Sequence, residues 1–183
     1  ALATNYPNKQ FITYRVDYNM FLTEYYLESD DGIGFRRDQA SSFAKRIAGD
    51  FNPLHDPDNK MFCVPGDLLF SVALAKLGLN QKMKFTFSGM VSDDTPIFFQ
   101  PTDSETVEAR DNEGKVYLSI NRSGARSEDE EAISSLARSY VEFSGRTFPH
   151  ILVPLMQQQE IMINPARPLV IYESMEIDLE QLD

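Results

Sequence analysis

The sequence predicts a single α+β domain in which an antiparallel sheet, strung as a meander, follows one buried helix. Two observations lead there. The run from Leu68 to Leu77, with Leu69, Val72, Ala73, Leu74 and Ala75 inside it, is apolar on nearly every side, so as a helix it belongs inside a protein rather than on a surface. Directly after it the hydrophobic period changes to two: Met83, Phe85, Phe87, Gly89 and Val91 alternate with polar residues, and two later runs flank a turn, as in a meander. A chain of 183 residues suits one such domain with a real core and is short for two.

Taken in order, Phe11 to Val16 and Phe21 to Leu27 alternate apolar and polar types and read as strands. Asp30-Asp31-Gly32 is a turn, Ile33 to Arg36 a short strand, and Asp38 an N-cap for a helix from Gln39 to Ala48. Gly49 is placed to stop that helix in a left-handed conformation, and Pro53 forbids its continuation beyond Asn52. The buried helix starts at Pro65-Gly66-Asp67 and ends at Gly78. Strands are expected over Lys82 to Val91 and Pro96 to Phe99, then a hairpin of Glu105 to Arg110 and Lys115 to Asn121 around Asp111-Asn112-Glu113-Gly114. Ser127 with Glu130 has the spacing of a capping box, opening an amphipathic helix that Gly145 ends. A short helix from Pro149 to Gln159 and a last strand from Leu169 to Leu179 complete the reading. The chain thus divides into N-terminal strands (1–28), a core (33–124) and a helical extension with a last strand (125–183), all within one domain, 1–183.

A formal charge of −11 and the lack of any Lys/Arg-rich block argue against nucleic acid or an anionic membrane surface as partner, since both require a positive footprint. The single cysteine, Cys63, leaves no internal disulfide and no four-thiolate metal site. It reads as a small buried hydrophobe. With no apolar run of membrane-spanning length and no secretory-signal pattern, a cytoplasmic location without membrane insertion is expected.

Chemistry concentrates in Gly49-Asp50-Phe51-Asn52-Pro53-Leu54-His55, where a carboxylate, an amide and an imidazole fall within six positions after a helix end. On the residues alone, Asp50 capping backbone donors and His55 satisfying a turn is a better account than catalysis. Asn52, before a proline, suits bonding to neighbouring backbone.

Phe43-Ala44, then Ile47 through His55, followed by a loop and a glycine at the start of a buried helix, resembles the hydratase segment of the MaoC-like family, which includes the R-specific enoyl-CoA hydratases. The likeness is dense from Phe43 to His55 and looser from Gly66 to Gly124. The segment is also similar to that of uncharacterised bacterial hotdog proteins with a long C-terminal addition, which carry no function with them. The resemblance implies a hotdog fold, an antiparallel sheet wrapped around a central buried helix, usually dimeric, and so a homodimer. It further implies an acyl thioester of coenzyme A or acyl carrier protein as substrate, hydration or dehydration as the reaction, and no metal or redox cofactor. By position, Asp50 and His55 match the family's water-holding acid and base, and Asn52 the amide that steadies them. Gly66 matches the glycine whose backbone N–H serves as oxyanion donor, with Asp67 beside it in the substrate-binding position.

This chain departs from the family where it has Pro65-Gly66-Asp67 in place of the usual His-Gly-Met. A carboxylate at Asp67 is expected to cap the very N–H groups that a thioester oxygen needs, and to repel an enolate. The loop from His55 to Gly66 is short, and the cations available for a phosphorylated carrier (Arg36, Arg37, Lys45, Lys82 and Lys84) are scattered. Two further readings therefore stand beside the hydratase: a hotdog protein without catalysis that binds an acyl group or a protein partner, and an acyl-CoA thioesterase.

Overall fold

A five-stranded antiparallel sheet carries the fold, its strands in the spatial order Phe98–Phe99, Thr106–Arg110, Val116–Ser127, Leu79–Phe87 and Ser174–Asp178. The computed structural model describes residues 21–99, 104–162 and 171–182. Its strands are β1 (Leu27–Ser29), β2 (Gly32–Gly34), β3 (Leu79–Phe87), β4 (Phe98–Phe99), β5 (Thr106–Arg110), β6 (Val116–Ser127) and β7 (Ser174–Asp178). The helices are α1 (Arg37–Phe43), α2 (Gly66–Leu77), α3 (Glu130–Thr147) and α4 (Val153–Gln158). The β1-β2 hairpin joins the sheet margin through a bridge between Ile33 and Ile97.

Helix α2 lies between the sheet and α3, which is why it is apolar all round. Phe70 meets Phe85 of β3 edge-on at 4.8 Å and Tyr140 of α3 at 4.7 Å, so one side chain bridges three layers. Such ring pairs add about 0.5–1.5 kcal/mol each beyond burial. Leu68, Phe70, Val72, Ala73 and Leu74 are all fully buried. On the sheet, Met83 and Phe85 of β3, Leu118 and Ile120 of β6, and Met175 and Ile177 of β7 are buried, the period-two pattern of a sheet with one covered face. The alternate positions are charged and paired across strands: Lys82 with Asp178 at 3.1 Å and Lys84 with Glu176 at 2.6 Å.

Several expectations are corrected. Residues 21–26 form turns, not a strand; Leu22 and Tyr25, three apart, are both buried, and the Tyr25 N–H donates to the Leu22 carbonyl at 2.9 Å. The expected strand over Phe11 to Val16 lies outside the described residues. Helix α1 begins at Arg37, and Asp38 lies in its first turn and pairs with Arg36 rather than capping it. Strand β3 starts at Leu79 and ends at Phe87, while β6 runs on to Ser127, so that Leu79 pairs with Ser127. Asp129, not Ser127, caps α3, accepting from the Ala132 N–H at 2.9 Å. Gly145 does not end α3, which continues to Thr147 and passes through a π-helical turn, Phe148–Leu152, into α4. Of the last strand, β7 (Ser174–Asp178) is formed; residues 163–170 lie outside the described part.

Candidate functional site

The site begins where α1 widens into a π-helical turn, Ala44–Ala48. Gly49 follows at φ 68°, the left-handed region that glycine tolerates, and the N–H groups of Gly49 and Asp50 both donate to the Ala44 carbonyl, the latter at 2.8 Å. This closes the helix and turns the chain. Two short side-chain loops then shape the segment. Asp50 Oδ1 accepts from the Asn52 N–H at 2.8 Å, and Asn52 Oδ1 accepts from the Leu54 N–H at 3.1 Å, capping a 3₁₀ turn over Pro53–His55. Pro53 occupies the first position of that turn, where a missing N–H is harmless.

The result is that His55 Nε2 lies 3.4 Å from Asp50 Oδ2. The other ring nitrogen, Nδ1, donates to the Cys63 carbonyl at 2.9 Å. A carbonyl only accepts, so Nδ1 carries a proton, and Nε2 can then face a carboxylate comfortably only with a proton between them. Burial opposes charge on His55, but the Asp50 carboxylate and the Cys63 contacts outweigh it, lifting the imidazole from 6.5 to about 10. The loop supplying Cys63 is tied down at both ends. The Cys63 N–H donates to the Leu54 carbonyl at 3.1 Å and the Val64 N–H to that of Val91 at 2.8 Å. Arg37 clamps its middle, donating to the carbonyls of Pro57 and Asn59 at 3.0 Å each.

Asp50, Asn52, His55, Gly66 and Asp67, every site residue expected from the sequence, line one cavity of about 320 Å³. Its walls include Val64, Leu69 and Phe87 from the core side, the exposed Met90, and Leu152 and Ile171 from the C-terminal third. Gly66 opens α2, with Tyr172 packed close: a Cβ there would lie 3.1 Å from Cδ2 of that ring. Among the described residues no acceptor meets the N–H groups of Gly66 and Asp67, while those of Leu68 and Leu69 bond the Pro65 carbonyl. Asp67 therefore does not cap its own helix, contrary to the expectation from its position. It is 1% exposed, and its Oδ1 has no partner among the described residues. Burial pushes its carboxyl up to about 7; the Ser144 hydroxyl pulls the other way, Asp50 adds to the rise and His55 lowers it.

Three contributors to the site were not legible in the sequence. Ser144 and Gly145 of α3 and Tyr172 ahead of β7 all line the cavity, and the Ser144 and Tyr172 hydroxyls are hydrogen-bonded to each other. Burial and the nearby Asp67 hold the Tyr172 phenol well above its ordinary range. The cations proposed for a phosphorylated carrier are elsewhere. Arg36, Arg37, Lys45, Lys82 and Lys84 pair with Asp38, Asp93, Asp56, Asp178 and Glu176 respectively, and none lines the cavity. Among the described residues no group of three or more His, Cys, Asp or Glu could hold a metal ion, and no helix is long and apolar enough to cross a membrane.

The model of a family described as protein of unknown function (DUF3581) matches residues 20–183. The chain belongs to that family. The match spans the site segment, α2, the sheet and the C-terminal third together, so the DUF3581 unit includes Ser144 and Tyr172 as well as Asp50 and His55. No curated protein and no solved structure matches the chain.

Proposed function

We propose that this DUF3581 protein is a hotdog-type hydratase or dehydratase of acyl thioesters carried by coenzyme A or acyl carrier protein, acting as a cytoplasmic homodimer. The observation that carries the reading is the Asp50–His55 pair, 3.4 Å apart on the wall of a largely apolar cavity that also receives the N-terminus of α2. An acyl chain suits the apolar walls. A thioester oxygen, gaining negative charge as an enolate forms, suits the Gly66 N–H at a positive dipole end. Asp50 takes a proton from water as its oxygen bonds to the β-carbon, the protonated His55 gives one to the α-carbon, and the proton on Asp50 then returns to His55. Atoms and charge balance, and the pair is restored. The antiparallel sheet and the buried helix that follows the site segment support the hotdog assignment.

A second reading keeps the cavity but not the chemistry, as an acyl-binding protein. The pairing of all five candidate cations with carboxylates favours it, because it leaves the phosphates of a carrier without those partners. A panel of enoyl-CoA and acyl-CoA substrates, followed for hydration and for thiol release, separates these readings and the thioesterase. Hydration supports the proposal, thiol release the thioesterase, and binding without turnover the second reading.

A further inference from the structure

The start of α2 presents an unmatched set of polar atoms. The N–H groups of Gly66 and Asp67 have no acceptor among the described residues, and Asp67 Oδ1, buried within the cavity wall, has no donor. These groups do not satisfy one another, since Asp67 Oδ1 meets no donor, the two N–H groups included. Left ionised, such an oxygen is strongly disfavoured in an apolar wall. Protonated, the same carboxyl becomes a donor, and all three unmatched groups then ask for one thing: an acceptor oxygen. We propose that the Asp67 side chain is a hydrogen-bond donor in the oxyanion site, giving its O–H to the acyl carbonyl oxygen that also accepts from the Gly66 N–H. This rests on the acyl-thioester reading above and reverses what a carboxylate at that position implies from sequence, because a neutral acid stabilises an enolate that a carboxylate would repel.

The surroundings keep that acid neutral over a useful range. The titratable groups that face it are Asp50 and His55 from the site segment, Tyr140 from α3 and Tyr172 from the segment before β7. Both phenols are raised and stay protonated, Asp50 disfavours a second negative charge, and the Ser144 hydroxyl and His55 favour one without overcoming burial. With the carboxyl at about 7, the donor form is present in neutral and acidic solution and is lost above it.

The test uses hexanoyl-CoA, a saturated thioester that cannot be hydrated, with its affinity measured calorimetrically from pH 5.5 to 8.5. If only the protonated form binds, apparent affinity of the wild type falls about 30-fold over that range. Asp67→Asn keeps an N–H donor at every pH, so its affinity stays level. Asp67→Ala has no donor and binds weakly and levelly. A wild-type affinity that does not change with pH, an equal fall in Asp67→Asn, or no binding at all overturns the proposal. Turnover of trans-2-hexenoyl-CoA by the wild type at pH 6 is measured alongside. Absent turnover with the pH-dependent binding intact refutes the hydratase and leaves the Asp67 donor standing; turnover with pH-independent binding does the reverse.

Discussion

Gly145 of α3 lies against the backbone of Ala48 so closely that a Cβ at Gly145 would sit 1.6 Å from the Ala48 carbonyl oxygen. The contact joins the long C-terminal helix to the turn that launches Asp50, and it places Ser144, the neighbouring residue, beside Asp67 and Tyr172. Backbone cannot yield as a flexible side chain does, so one of the two elements must move to admit a methyl group. Gly145→Ala should cost about 1–3 kcal/mol in denaturant unfolding, the range of overpacking. Gly34→Ala, where a Cβ meets nothing within 4 Å, is the control and should change stability by less than about 0.5 kcal/mol. Equal effects of the two would contradict the contact.

His55 makes stability depend on alkaline pH. Its folded value of about 10 exceeds the ordinary 6.5, so the folded chain holds this proton more tightly than the unfolded one. The stabilisation is full below about pH 6.5 and is lost as pH rises toward 10. The stability gap between wild type and His55→Asn should therefore narrow by on the order of 4 kcal/mol between pH 6 and 10. A gap that stays constant in thermal melts across that range would contradict the ion pair.

Asp67 acts with the opposite benefit. Its folded value of about 7 also lies above the ordinary 3.8, so ionising it costs folded-state stability progressively from about pH 3.8 up to 7, and no more beyond. Asp67→Asn cannot ionise and should be more stable than the wild type at pH 8 by on the order of 1–3 kcal/mol, with the advantage shrinking toward pH 4. A variant less stable than wild type at pH 8 would show that the carboxyl is well satisfied in place.

Arg37 is expected to matter to the site without lining it. Besides its two carbonyl acceptors, its guanidinium pairs with Asp93 at 2.9 Å and covers the ring of Phe62 at 4.9 Å, gathering the loop that brings the Cys63 carbonyl to His55. Arg37→Ala should cost about 1–3 kcal/mol, the scale for losing charge-assisted hydrogen bonds. It should also bring down the alkaline pH at which His55 loses its proton, followed by the chemical shift of the imidazole. Unchanged His55 titration would mean that the loop holds its shape without the clamp.

The parts of this fold legible in the sequence are those where one local pattern decides. Helix α2 is apolar on all sides because the sheet and α3 enclose it, and the 49–55 segment advertises itself through its glycine, proline and clustered polar groups. What escaped depends on contacts between distant residues. Strand β6 continues through Arg122 to Ser127, a run without an apolar face, because Leu79 and Asn80 of β3 are there to pair with it. Gly145 looks like a helix stop in isolation, yet it is needed where α3 crosses Ala48. Leu22 and Tyr25 sit in a run that alternates as a strand would, but their separation of three serves a turn. Ser144 and Tyr172 lie 28 positions apart, with no local pattern to announce that their hydroxyls meet at the cavity.

The central claim is that Asp50 and His55 work together on water. The most direct measurement is hydration of trans-2-hexenoyl-CoA by wild type, Asp50→Asn and His55→Ala at pH 6, with folding of each variant checked by its thermal transition. Loss of a general acid or base costs about 10²–10⁴-fold, and both variants should lose activity on that scale while remaining folded. Wild-type hydration that survives undiminished in either variant would contradict the account.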